Sequence, residues 1–252
     1  MKKLAFLCVF ILIAGILYAQ TVEEYLAAGD NHYKAYENEL ALENYLNALE
    51  ADSTNYEALW KIARAYVDMG EMAEEEQQKE NYLKAEKYAR QAVKAYPDSA
   101  EGHFQLAVAV GRVALYEGGK TKIELSKEVK EEADKCIELN PDHDGAYHIL
   151  GRWNREIANL SWLMKAAAKV VYGGVPKGAS NENAVKNFQK AIELKPNKLV
   201  HHLELAKTYI EMDEWEDAKS ELKKVINLPK SDADDPEHKK EAKTLYDEIK
   251  DK

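Results

Sequence analysis

The sequence predicts an all-α fold, an α-α superhelix of five helix pairs plus a C-terminal capping helix. Three observations predict it. First, Tyr25, Ala28, Gly29, His32, Ala41, Tyr45, Ala48 and Ser53 share their spacing with His202, Leu205, Ala206, Tyr209, Ala218, Leu222, Val225 and Lys230, each set opening a block of 34 residues. Offsets of three, four and seven place side chains on one helix face, and a gap of nine leaves room for a turn before a second such face. Second, the same eight positions recur three more times between those blocks with insertions that preserve the phase. Third, small residues fall where two helices must touch, as a repeat that cannot bury its apolar stripe alone requires.

In chain order, Met1 to Ala19 reads as a secretory signal: Lys2 and Lys3 precede an apolar run from Leu4 to Leu17, followed by Tyr18-Ala19-Gln20. Cleavage after Ala19 is expected. The alternative is an uncleaved membrane anchor, because Leu17 is large for a position two before the cut. Export, periplasmic or secreted, follows from the first reading. Cys8 lacks the preceding small residues of a lipid-acceptor cysteine.

Residues 20–252 then form one domain. Its repeats fall at about 22–55, 56–99, 100–143, 144–198 and 199–232, with a cap at 235–250. Leu59, Ile62, Ala63 and Tyr66 pair with Ala85, Ala89, Ala92 and Pro97 across 19 residues instead of nine. His103, Leu106, Ala107 and Val110 pair with Val129, Ala133, Cys136 and Pro141, again across 19, and Tyr147, Leu150, Gly151 and Asn154 pair with Ala184, Phe188, Ala191 and Pro196 across 30. Thr21 with Glu24, Thr54 with Glu57 and Asp98 with Glu101 read as capping boxes that start helices. Asp235-Pro236 opens the last helix, whose apolar positions are Ala242, Leu245, Tyr246 and Ile249. The 34-residue helix-turn-helix period resembles the tetratricopeptide repeat, a scaffold whose usual role is to hold another molecule.

The first two insertions, about Glu71 to Lys84 and Glu117 to Ser126, are strongly charged and are expected to lengthen both helices of their pairs. The third, Leu160 to Gly178, contains no acidic residue and should form an extra helix. Trp162, Leu163, Ala166, Val170 and Tyr172 give it an apolar face beside Lys165 and Lys169. That combination makes Trp162, Lys165, Lys169 and Tyr172 candidate contacts for a membrane surface or an anionic lipid.

Ala146 to Trp153 (Ala-Tyr-His-Ile-Leu-Gly-Arg-Trp), then Leu160-Ser-Trp-Leu163, Tyr172-Gly-Gly-Val-Pro176, Ala184 to Phe188 and Ala191 to Pro196 resemble the regulator of microtubule dynamics proteins. The resemblance runs from about Ala100 to Lys243 and includes Leu125-Ser126 and Leu228-Pro229. It implies a helical-repeat adaptor associated with microtubules, spindle poles or organelle membranes and their lipids, and it brings no catalytic residues. Microtubules enter as a partner only through this resemblance.

In a tetratricopeptide superhelix the first helix of each pair lines the concave side. Counting one and five places past each first anchor gives Leu26 and Asp30, Trp60 and Arg64, Phe104 and Val108, His148 and Arg152, and Leu203 and Lys207, with Arg112 and Arg155 a turn further. Arg64, Arg112, Arg152, Arg155 and Lys207 thus collect on one surface, with Trp60, Phe104 and His148 beside them. Two readings follow: a groove that grips an acidic or C-terminal peptide or an anionic head group, or cations that pair with Glu residues of neighbouring repeats.

Composition bounds the rest. The formal charge of -10 becomes -12 without the two lysines of the signal, which disfavours nucleic acid as a partner. Cys136 is the single cysteine of the mature chain, so no intramolecular disulfide forms, and its repeat position predicts a buried, inert thiol. His201-His202 point about 100° apart on a helix and His143 and His148 stand five apart, so neither makes a helical metal pair. No phosphate-binding glycine loop or hydrolase nucleophile motif is present. The expectation is a non-enzymatic, exported protein- or peptide-binding scaffold without a cofactor; the alternatives are a lipid- or membrane-surface module and the microtubule adaptor that the resemblance implies.

Overall fold

A computed structural model describes residues 21–172 and 174–252, so the proposed signal segment lies outside the described residues. Within them the chain forms α1 (Val22–Lys34), α2 (Asn38–Ala51), α3 (Tyr56–Glu71), α4 (Glu75–Ala95), α5 (Ala100–Val113), α6 (Gly119–Leu139), α7 (Asp144–Ala158), α8 (Trp162–Tyr172), α9 (Asn181–Leu194), α10 (Leu199–Glu211), α11 (Trp215–Asn227) and α12 (Asp235–Ile249). The pairs are α1/α2, α3/α4, α5/α6, α7/α9 and α10/α11. α8 is the extra helix expected in the third insertion, and α12 covers the last apolar stripe. The pairs stack α2 on α3, α4 on α5, α6 on α7 and α9 on α10, while α3, α5, α7 and α10 also meet one another in sequence order. That second row of contacts makes the first helices the inner wall.

Packing inside each pair obeys a size rule at two positions. Gly29 faces Tyr45 and Gly151 faces Phe188 so closely that a Cβ would lie 2.4 Å and 2.6 Å from the ring. Where the partner is small, at Ala63/Ala89 and Ala107/Ala133, the facing residue is Ala. Ala206 with Leu222 is intermediate. Glycine rather than alanine stands where the second helix presents an aromatic ring, as close-packed interiors demand. Cys136 is buried, and burial pushes its thiol up to about 12, consistent with an inert core position.

The α1 capping box is formed by Thr21 and Glu24 as expected. Two other caps are displaced by one residue. Asn55, not Thr54, accepts the Ala58 amide at 2.9 Å, because the Thr54 hydroxyl is taken by Asp52 at 2.9 Å. Ser99, not Asp98, caps α5 through the Gly102 amide. Glu57 and Glu101 therefore turn to Lys61 and Gln105 instead of closing a box. The first insertion lengthens both helices, to 16 and 21 residues. The second lengthens only α6, to 21 residues, while α5 stays at 14, because the chain turns after Val113 and the Tyr116 hydroxyl donates to Gln78 of α4.

Candidate partner-binding groove

The inner wall divides into two charged halves. In the N-terminal half, Lys61 donates to Asp30 at 2.7 Å and to Glu57 at 2.8 Å, and the Tyr45 hydroxyl donates to the other Asp30 oxygen at 2.9 Å. Burial opposes ionisation of Asp30, but the bonds from Lys61 and Tyr45 outweigh it and hold the carboxyl below its ordinary value. Arg64 lies over Tyr33 with 3.6 Å to the ring centroid and 5.1 Å from Trp60, and donates to the Tyr45 hydroxyl at 3.3 Å. Phe104 packs against His143 (4.4 Å between centroids) over Gly145, so its ring is spent on the joint between repeats. Arg112 pairs with Glu71 of the preceding repeat.

The C-terminal half is built around Glu204, only 6 % exposed. Arg155 donates to its carboxylate at 2.5 Å and to its carbonyl at 3.0 Å; Lys207 reaches the other oxygen at 3.0 Å, and Arg152 lies at 3.9 Å. Burial alone would raise this carboxyl, but Arg155, Lys207 and Arg152 pull it down to about 2. Glu156 and Glu241 take the outer donors of Arg152 and Lys207. His148 meets His201 nitrogen to nitrogen at 3.0 Å, and His201 reaches Asp144 at 2.9 Å. Burial, followed by the neighbouring His201, holds His148 well below its ordinary value, so it is neutral and packs edge-on against Phe188. The internal-pairing reading therefore describes Arg112, Arg152, Arg155 and Lys207. Arg64 alone of the five groove cations forms no ion pair among the described residues; its buried Nε has no hydrogen-bond partner there, as is also true of the Nε atoms of Arg112 and Arg152.

The two ends of the wall come together. Tyr33, Tyr36, Asn38, Asp68, Glu71 and Met72 line a cavity of about 130 Å³ together with Asp232, Ala233 and Asp234 from the loop before α12. On its other side that loop borders a cleft of about 380 Å³ formed by Asp144 and the turn from Lys195 to Lys198.

The family profile described as "Regulator of microtubule dynamics protein 1-3" matches residues 25–250. The chain belongs to that family. Regulator of microtubule dynamics protein 3 of Rattus norvegicus is 34% identical over 202 residues, 79% of this chain and 43% of that protein. Regulator of microtubule dynamics protein 1 of Mus musculus is 31% identical over 236 residues, 92% of this chain and 76% of that one. The chain thus spans less than half of the first of these relatives. Among solved structures, TTC0263, a thermophilic TPR protein of Thermus thermophilus, covers 89% of this chain at 16% identity with a TM-score of 0.66, all of that chain being matched. At that identity the likeness shows the tetratricopeptide fold.

Part of what made the sequence resemble this family has a local role. The Trp153 indole donates to the Ser126 carbonyl at 2.8 Å and to its hydroxyl at 3.1 Å, tying α7 to α6. α8 packs on α6 and leaves Trp162 79 % and Val170 86 % exposed. Lys169 is exposed, but Lys165 donates to the Ala158 carbonyl at 2.7 Å and so fastens α8 to the end of α7. The Tyr172 side chain lies outside the described residues. No helix among the described residues is long and apolar enough to cross a membrane, and no cluster of three metal-ligating side chains occurs among them.

Sequence reasoning missed a pair of histidine clips. His103 sets its ring nitrogens 2.5 Å from Glu132 and 2.7 Å from the Pro97 carbonyl; His202 sets its own 2.6 Å from Glu221 and 2.9 Å from the Pro196 carbonyl. Both occupy the first anchor of a repeat, six residues after the preceding proline. That shared offset was the available signal.

Proposed function

We propose that this member of the family is an exported, non-catalytic scaffold that holds a protein or peptide segment in its groove and grips an acidic or C-terminal carboxylate with Arg64. The observation that carries the reading is the state of that guanidinium: stacked on Tyr33, near Trp60, and without a direct ion pair among the described residues, the charges of Asp30 and Asp68 acting on it only at longer range. A planar donor fork on an aromatic shelf suits bidentate contact with a carboxylate. The other groove cations already have partners and serve to fix the wall.

Fluorescence anisotropy with acidic peptides carrying a free or an amidated C-terminus tests it. Charged hydrogen bonds contribute about 1.5–3 kcal/mol, so Arg64→Gln should weaken the free-acid peptide by about tenfold or more. Equal affinity of the wild type and Arg64→Gln would reject the site. A second reading, direct action on microtubules, is favoured by family membership and by the relatives' names; co-sedimentation with purified microtubules tests it. Export is supported by the apolar run after Lys2 and Lys3, and N-terminal sequencing of the mature protein decides it.

A further inference from the structure

The end-to-end approach of the superhelix bears on how anything enters the groove. The cavity between the ends is faced from α1 by Tyr33, from the following turn by Tyr36 and Asn38, from α3 by Asp68 and Glu71, and from the loop before α12 by Asp232 and Asp234. Four carboxylates thus meet at one seam. The cations near it are few. Arg112 is committed to Glu71, Arg64 lies over Tyr33, and Lys230 sits 5.7 Å from the Tyr36 ring centroid. Among the described residues no hydrogen bond or ion pair crosses from the first two repeats to residues 230–235; the Lys230 contact with Tyr36 is the attractive link. Such a contact is weak when exposed. A junction with one weak attraction and several like charges has little to hold it shut.

We propose that the loop from Lys230 to Asp234 is a latch that shuts the groove into a ring, and that ionisation of Asp68 across the seam releases it. This rests on the groove reading above and adds its regulation. Asp68 is the group that can switch. Burial, then the charge of Glu71, with a further contribution from Asp232, push its carboxyl up to about 7 against the opposing influence of Tyr33 and Arg64. Opening the seam returns water to Asp68 and removes Asp232, so its carboxyl falls toward the ordinary range. The closed state therefore binds the proton more tightly. By linkage, closure is favoured most below the ordinary carboxylate range and is lost as pH rises from there through about 7. Asp232 and Asp234 are exposed.

The test measures the gap itself without any peptide. The full chain carries Cys8→Ser and Cys136→Ala, with Glu39→Cys on α2 and Glu237→Cys on α12 as exposed spin-label sites, and the label distance is recorded at pH 6 and pH 8. The expected result is one short, narrow distribution at pH 6 and a longer, broader population at pH 8. Asp68→Asn should keep the short distance at both pH values, and Lys230→Glu should give the long one at both. Identical wild-type distributions at the two pH values, or an Asp68→Asn chain that still opens at pH 8, would overturn the latch. Either failure leaves the Arg64 site standing, because peptide affinity is a separate readout.

Discussion

Gly151→Ala tests the packing rule that gives the groove its shape. In an exposed helix this change would stabilise the chain by about 1 kcal/mol through backbone propensity. Here the new methyl would stand 2.6, 2.7 and 2.8 Å from three atoms of the Phe188 ring, which is itself 0 % exposed. Ring atoms cannot swing aside as the end of a flexible chain can, so α7 and α9 must separate. Overpacking of this kind costs about 1–3 kcal/mol, enough to cancel the propensity gain and, over most of that range, to exceed it by about 1–2 kcal/mol. For a chain of this size that is a fall of a few degrees in Tm, at about 2–4 °C per kcal/mol. Phe188→Ala alone should cost about 3–5 kcal/mol as a cavity. The combined variant reproduces the Ala107/Ala133 arrangement of the third pair, so the methyl that clashed with the ring now fills space. The double-mutant cycle, read by urea denaturation, should give a favourable coupling of about 1–3 kcal/mol. A Gly151→Ala protein more stable than the wild type, or strictly additive changes, would refute the reasoning.

The buried charge centre makes a second prediction. Arg155→Met strips Glu204 of its closest partner and should cost about 3–5 kcal/mol, whereas Arg155→Met with Glu204→Met should be far milder. Because the Glu204 carboxyl is depressed in the folded state, to about 2, its contribution is present above the ordinary glutamate range and is lost as pH falls from there toward 2. The urea midpoint of the wild type should fall through that window more steeply than that of Glu204→Gln. The displaced cap is also testable: Asn55→Ala should cost about 1 kcal/mol and Thr54→Ala less, and the reverse order would restore Thr54 as the cap.

The architecture was legible because it is periodic. Small residues at Ala63, Ala107, Gly151 and Ala206 mark the helix contacts whatever fills the insertions, so five pairs and a cap could be counted. Helix starts were readable only to within one residue. Thr54 and Asn55 are both good caps, and the choice was made by Asp52, which engages the Thr54 hydroxyl and which no start signal includes. The groove positions were legible as positions, but their ion pairs were not. Glu204 lies 49 residues from Arg155, and Glu71 lies 41 from Arg112. Partners at such separations depend on how far one pair rotates against the next, which side-chain spacing does not encode. The loop at residues 230–235 reads locally as a polar connection to the cap; its approach to Tyr36 is a property of the accumulated superhelix.

Those pairings decide where binding energy is available. A carboxylate ligand that approached Arg152 or Arg155 would have to compete with Glu204, whose charge is already compensated inside the wall; displacing it would leave that buried charge with Lys207 as its remaining close partner. The gain from the new pair would be largely spent on the loss of the old one. At Arg64 no such exchange is required. Its hydrogen-bond partner is a neutral hydroxyl at 3.3 Å, with the Asp30 and Asp68 charges beyond direct pairing, and its aromatic shelf holds the guanidinium plane before any ligand arrives. Pre-organised, under-partnered donors return more of their interaction energy as affinity than paired ones do. On the proposed reading, Arg64 is the site of capture and the other four cations are struts, so charge-reversal at Arg155 should register as lost stability while charge-reversal at Arg64 registers as lost binding.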